Sequence, residues 1–132
     1  MAVNFVQGNY QSATFEKATF PWPSSVPISA GAVLGLPSGS GVVVALEAYT
    51  QADYDAGRSF GPAIEGGIWK LPKVASVEAF GIGDKVFIDP LVGNGVSTNS
   101  LYFFGICTKA AAAAAETVEV LLQQDQSFGS GS

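Results

Sequence analysis

The chain has 132 residues, of which 48% are hydrophobic and only 13% are charged, and its formal net charge at pH 7 is -5. This length predicts one domain with a core of its own, and the acidity argues against nucleic-acid binding, which requires clustered Lys and Arg. Because the sequence has no histidine and one cysteine, it excludes catalysis by a Ser-His or Cys-His pair and the usual zinc sites.

The N-terminal segment, residues 1–27, is predicted to be an irregular, extended arm. Proline at positions 21 and 23 prevents a helix or a central strand there, because proline lacks the amide donor and fixes φ. Aromatic side chains on such an arm must be buried either against the arm's own barrel or against another subunit, and the sequence leaves both alternatives open. The candidate contact residues are Asn4, Phe5, Val6, Phe15, Phe20 and Trp22.

Short apolar runs separated by glycine turns follow from about residue 28. Such a pattern is typical of an all-β protein, here a small single-domain β-barrel or barrel-like sandwich over residues 28–123. The strand over 117–122 has the clearest signal, because Val118, Val120 and Leu122 recur with period two. The other predicted strands cover residues 32–36, 42–49, 63–71 (with Pro72 ending its pairing), 85–88 and 101–108.

The segments between the predicted strands carry three further predictions. Residues 50–62 are expected to form a polar loop, in which Asp53 and Asp55 are solvated, because a calcium site would need several more oxygen ligands. Residues 110–115, all alanine, are expected to form one helical turn or a loop, since a stable isolated helix needs more residues. Residues 124–132 are expected to be a flexible C-terminal tail.

For four single residues, the neighbouring sequence predicts whether the side chain is buried or exposed. Cys107 lies in an apolar run and is predicted to be a small buried hydrophobe. Trp69 is either a core aromatic or an interface anchor, and we favour the core; alternation places it on one face with Leu71. Lys70 and Lys73 are predicted to be solvated at the end of their strand.

Two phrases, GIWKLPK at residues 67–73 and GDKVF at residues 83–87, together resemble the centre of the phage capsid cement, or head decoration, protein family. The similarity runs from about residue 28 to 123, with a weaker echo at residues 4–8. It includes an Ala-Gly pair entering a strand near residue 30, an alanine-rich segment and a final Val-x-Val-Leu-Leu strand. The ordered set of phrases carries the resemblance, since none of them is diagnostic alone.

The resemblance implies a structural protein of the virion and not an enzyme. Members of this family look like small β-barrels, commonly homotrimers, which lie on the outer surface of a phage head across major capsid protein subunits and cement them. The expected partners are therefore the major capsid protein and further copies of the chain, with no nucleic acid and no membrane, and with no cofactor or metal. The six candidate residues of the arm would then contact the capsid or a neighbouring subunit.

Two other classes of function stay open at the level of the sequence. One is a β-barrel adhesion or carbohydrate-binding module on a virion or cell surface, because exposed Trp22, Trp69 or Tyr54 could stack on sugars. The other is a carboxylate-dependent hydrolase, which would require two acidic residues to converge in a pocket. The apolar runs are too short for a membrane span.

Overall fold

A computed structural model describes residues 3–16, 27–36, 41–73, 78–89, 95–97 and 102–124. Within these ranges the chain forms eight strands in one curled, half-barrel sheet and one short helix. The strands are β1 (Asn4–Ser12), β2 (Val33–Gly35), β3 (Val42–Val44), β4 (Ala63–Pro72), β5 (Lys85–Asp89), β6 (Gly95–Ser97), β7 (Tyr102–Lys109) and β8 (Thr117–Leu122), and the helix is α1 (Gln51–Asp55). The prediction of a small all-β, barrel-like domain is confirmed.

The strands pair antiparallel in the order β2-β3-β4-β8-β7-β5-β6, and β1 pairs with β4 outside this order. Ile68 of β4 is opposite both Gln7 of β1 and Leu121 of β8, so β1 and β8 lie along opposite edges of β4. β1 is therefore an edge strand of the described sheet.

The larger core cluster lies on one face of this sheet, as strand alternation requires, and β2 and β3 are buried on both faces because Leu34 and Val43 belong to a second cluster. Trp69 and Leu71 of β4 are buried together, and the predicted burial of Val118, Val120 and Leu122 of β8 is confirmed. A second, smaller cluster packs where β2 and β3 meet the segments around residues 28, 49 and 60. The side chains between the buried ones on β4 and β8 point to the other face of the sheet.

The prediction of an irregular N-terminal segment is wrong for Asn4–Ser12, which forms β1. Two features conceal this strand in the sequence. Its pairing with β4 has three register shifts, and Gly8 has a φ of 93°, so no period of two is visible. Beyond Ser12 the backbone continues along the same neighbour, because Phe15 and Phe60 exchange two hydrogen bonds.

Other boundaries also differ from the predictions. Residues 50–62 are not wholly a loop, since Thr50 and Asp53 form a reciprocal capping box at the start of α1. Pro72 does not end the pairing of β4, because it is opposite Thr117 and the next amide, of Lys73, still donates to Glu116 O. The strand predicted over 42–49 ends at Val44, and β6 was not predicted.

The alanine-rich segment is a loop, which is one of the two predicted alternatives. Ala111 forms an isolated bridge with Phe80, and the Ala115 amide donates to Ala112 O. The predicted tail beyond Gln124, and with it Phe20 and Trp22 of the arm, lies outside the described residues. None of the helices in the described ranges is long and apolar enough to cross a membrane.

Candidate functional site

The exposed apolar surface of the described residues is concentrated on β1. Four large hydrophobic side chains in those ranges are strongly exposed: Phe5 (46%), Val6 (39%), Tyr10 (41%) and Ile82 (75%). Three of the four lie on β1, and every residue of that strand is exposed. An exposed, apolar edge strand is a typical surface for contact with another protein.

The two exposed rings of β1 pack on Trp69. The Phe5 ring lies 5.2 Å from the Trp69 ring and 5.3 Å from the Tyr10 ring, both in edge-to-face geometry, and Tyr10 lies 5.7 Å from Trp69. Trp69 is only 3% exposed, and its indole Nε1–H donates to Gly66 O at 3.0 Å. The core assignment of Trp69 is confirmed, and its ring holds Phe5 and Tyr10 in fixed orientations at the surface.

Glycine at position 67 permits this close approach. Its φ is 76°, which is in the left-handed region. A Cβ at this position would lie 3.0 Å from Phe5 Cε1 and 3.1 Å from Trp69 Nε1. The first glycine of the GIWKLPK phrase therefore gives β1 room to lie against β4.

A shallow groove of about 340 Å³ lies beside the aromatic rings. Besides Phe5, Tyr10 and Trp69, it is lined by Val3, Asn4, Ala30, Gly31, Ala45 and Leu46. None of these side chains carries a charge, so the groove suits an apolar segment of another protein and not a charged ligand.

The six candidate residues of the arm separate into three groups, of which one, Phe20 and Trp22, lies outside the described residues. Asn4, Phe5 and Val6 are adjacent and exposed at the start of β1. Phe15 is half-buried against the second core cluster, which makes much of its ring a structural contact. Tyr10, whose ring packs beside Phe5 on Trp69, was not among the candidates.

Lys73 contradicts the prediction of a solvated side chain, whereas Lys70 is exposed as predicted. Lys73 is 3% exposed, and its Nζ donates to Ala113 O and Ala115 O at 2.9 Å and to Ala112 O at 3.4 Å. The last residue of GIWKLPK therefore anchors the alanine-rich loop. The sequence carries no local signal for this, because the loop lies about 40 residues further along the chain.

The acidic pair of residues 53 and 55 stabilises α1. The Thr50 amide donates to the Asp53 carboxylate at 2.9 Å, and this bond, more than the Arg58 guanidinium 3.5 Å away, holds the pKa of Asp53 below its usual value. Asp55 accepts a hydrogen bond from Gln51. No group of three or more metal-ligating side chains occurs in the described part of the chain.

Two further candidates for chemistry or sugar binding, Cys107 and Trp69, are buried. Cys107 is 1% exposed, as predicted, and burial raises the pKa of its thiol. Its Sγ–H donates to Lys109 O at 3.1 Å. Trp69 cannot stack on a sugar from its buried position, so the carbohydrate-binding alternative loses one of its three aromatic residues; Tyr54 is half-buried, and Trp22 lies outside the described residues.

A protein-family model described as phage cement protein matches residues 16–122, which is well over half of the chain. The match contains both the GIWKLPK and the GDKVF phrases and begins after β1. The comparisons with curated proteins and with solved structures each give no significant match.

Proposed function

The chain belongs to the phage cement protein family, and from this membership we propose that it decorates the outer surface of a phage capsid. In this proposal it forms a homotrimer, binds across neighbouring major capsid protein subunits and holds them together. The observation that carries the proposal is the family match over residues 16–122.

Physical chemistry explains how such a protein would stabilise a shell. A protein that binds the assembled lattice and not the separated subunits stabilises the lattice by mass action, in proportion to its occupancy. Repetition of the same contact at many equivalent sites adds avidity. A chain with only 13% charged residues and exposed aromatic side chains is suited to forming such contacts.

β1 is the contact element in this proposal, and residues 1–27 form the contact arm on the domain of residues 28–123. The strand NFVQGNYQS has no charged side chain, so its approach to another protein desolvates no ion. Phe5 and Tyr10 are already oriented by Trp69, which lowers the entropy lost on binding. In this proposal Asn4, Phe5 and Val6 contact the capsid, and capsid contact of Phe15, Phe20 and Trp22 stays a prediction.

The test is rebinding of the purified protein to phage heads that lack it, measured by co-sedimentation. We expect saturable binding, and heads that hold their DNA to higher temperature once the protein is bound. Unchanged heat resistance at full occupancy would contradict the cementing role, and an absence of binding would contradict the decoration role.

The contact element is tested with Val6→Ser, which removes an exposed apolar side chain without touching the aromatic cluster. We expect weaker binding to heads and unchanged thermal unfolding of the free protein. Ile82→Ser is the matched control, since Ile82 is also an exposed aliphatic residue but lies in the turn before β5. If the two variants bind heads equally well, β1 is not part of the interface with the capsid.

A further inference from the structure

The face of the sheet opposite the core carries a row of aliphatic side chains. Ile68 of β4 is opposite Leu121 of β8, which is opposite Ile106 of β7. All three are half-buried, and none belongs to either core cluster or packs against one. Polar side chains usually occupy a sheet face that is only solvated, so this row indicates a contact surface.

Lysine side chains border this row. In the neighbouring register position, Lys70 of β4 is opposite Glu119 of β8, which is opposite Lys109 of β7. On the other side, Lys85 of β5 is opposite Ile106. Three lysines and one glutamate therefore surround the aliphatic row, in a chain whose net charge is -5.

The other carboxylates on or beside these strands lie outside the row. Glu65 of β4 is opposite Gln11 of β1, and Asp89 of β5 is opposite Gly95 of β6. Asp84 is in the turn before β5, where its carboxylate accepts from the Gly81 amide, and Glu116 precedes β8. The aliphatic row ends at Ile68, beside β1, where Ile68 is opposite Gln7 and Lys70 is opposite Asn4. The surface is thus adjacent to the strand that the proposed function already places at the capsid.

We propose that this face, called here the outer sheet face (Ile68, Lys70, Lys85, Ile106, Lys109 and Leu121), binds a protein surface of the capsid with an apolar centre and a rim of carboxylates. This inference rests on the proposed function. Charge complementarity selects the partner, because the lysines attract carboxylates and repel the same face of a second copy. The aliphatic row supplies the desolvated centre, and the methylene stems of the lysines extend it.

Charge variants test the rim of the outer sheet face. Lys70→Gln and Lys109→Gln each remove one exposed positive charge. We expect each to raise the dissociation constant for heads by about 2–5-fold and the double variant to reduce the dependence of binding on salt. Arg58→Gln is the matched control, because Arg58 is exposed beside α1 and is not part of β4, β5, β7 or β8; its binding is expected to match that of the unaltered protein.

Ile106→Thr tests the apolar centre of the outer sheet face. Threonine keeps the β-branched shape of isoleucine but replaces apolar surface with a hydroxyl group. We expect binding to weaken by about tenfold or more, with thermal unfolding of the free protein measured in parallel. If Ile106→Thr proves unstable, the lysine variants still test the outer sheet face, because substitution of an exposed lysine changes folding stability little.

The outcomes separate this inference from the proposed function. If the unaltered protein does not bind heads, the proposed function fails. If it binds and both lysine variants bind equally well at every salt concentration, the outer sheet face is not the contact and the inference alone is overturned. Loss of self-association in these variants, with head binding unchanged, would also overturn the inference by assigning the face to a second copy.

Discussion

At the scale of single residues, the largest difference from the sequence-based prediction is at Lys73, whose side chain was expected to be solvated and is buried. An ammonium group has three donors and no acceptor, and the loop offers it three carbonyl oxygens. Burying a charge is costly unless it is hydrogen-bonded, and these carbonyls offset part of that cost for Lys73. In turn, Lys73 determines the shape of a loop that has no large side chain of its own.

We therefore predict that Lys73→Met lowers the free energy of unfolding by about 1–3 kcal/mol, the usual range for losing hydrogen bonds to a charged group. Urea unfolding at neutral pH measures this change. Lys70→Met is the control, because Lys70 is exposed, and its effect is expected to stay within about 0.5 kcal/mol. Equal stability of the two variants would contradict the anchoring role.

Cys107 gives a prediction about pH. Burial raises the pKa of its thiol above the ordinary value of 9.0, so the folded state favours the neutral form. The resulting stability is fully present below the unfolded pKa and is lost as pH rises through the folded pKa. We expect the difference in unfolding free energy between the unaltered protein and Cys107→Ala to be constant near pH 7 and to shrink above about pH 9.

Urea unfolding of both proteins across this pH range measures the difference directly. Comparison with Cys107→Ala removes the contribution of tyrosine and lysine titration, which both proteins share. A difference that stays constant up to pH 10 or grows with pH would show that the thiol is not held neutral by burial.

At the scale of elements, the sequence predicted those strands whose apolar residues recur regularly. β8 was predicted with its bounds from its alternation, and β2, β4, β5 and β7 were predicted to within one residue at each end from apolar runs between turn residues. β1 was missed since its bulges break the alternation, and α1 since five residues are too few to show a helical period. The role of Lys73 was missed because it depends on contact with a distant loop.

β1 also covers Trp69, which gives a prediction at this scale. We expect the double variant Phe5→Ala/Tyr10→Ala to expose the Trp69 indole, shifting its fluorescence to longer wavelength and increasing its quenching by acrylamide. The loss of the ring contacts should lower the free energy of unfolding by about 1–3 kcal/mol. The measurement uses a Trp22→Phe background, so that Trp69 is the emitting residue.

The control for this experiment is Ile82→Ala in the same background. Ile82 is the most exposed large hydrophobic residue in the described ranges, and it makes no ring contact with Trp69. We expect its emission to match that of the parent. An unshifted Trp69 spectrum in the double variant would mean that β1 does not shield the core.

At the scale of the whole molecule, the protein combines two buried core clusters with two surfaces directed outward. β1 has exposed aromatic side chains and no charge, and the adjacent outer sheet face has an aliphatic row bordered by lysines. The family resemblance carried by GIWKLPK and GDKVF was visible in the sequence, and the family match confirms it. The outer sheet face became visible only from the strand register, which places residues from three separate segments side by side.

The central claim is that this chain decorates the whole lattice of a phage capsid. Its most direct test is the number of copies in purified virions, measured by quantitative mass spectrometry against the major capsid protein. The account predicts a ratio near one copy per capsid subunit, as for a protein that occupies every equivalent site. A handful of copies per particle, or absence from the virion, would contradict it.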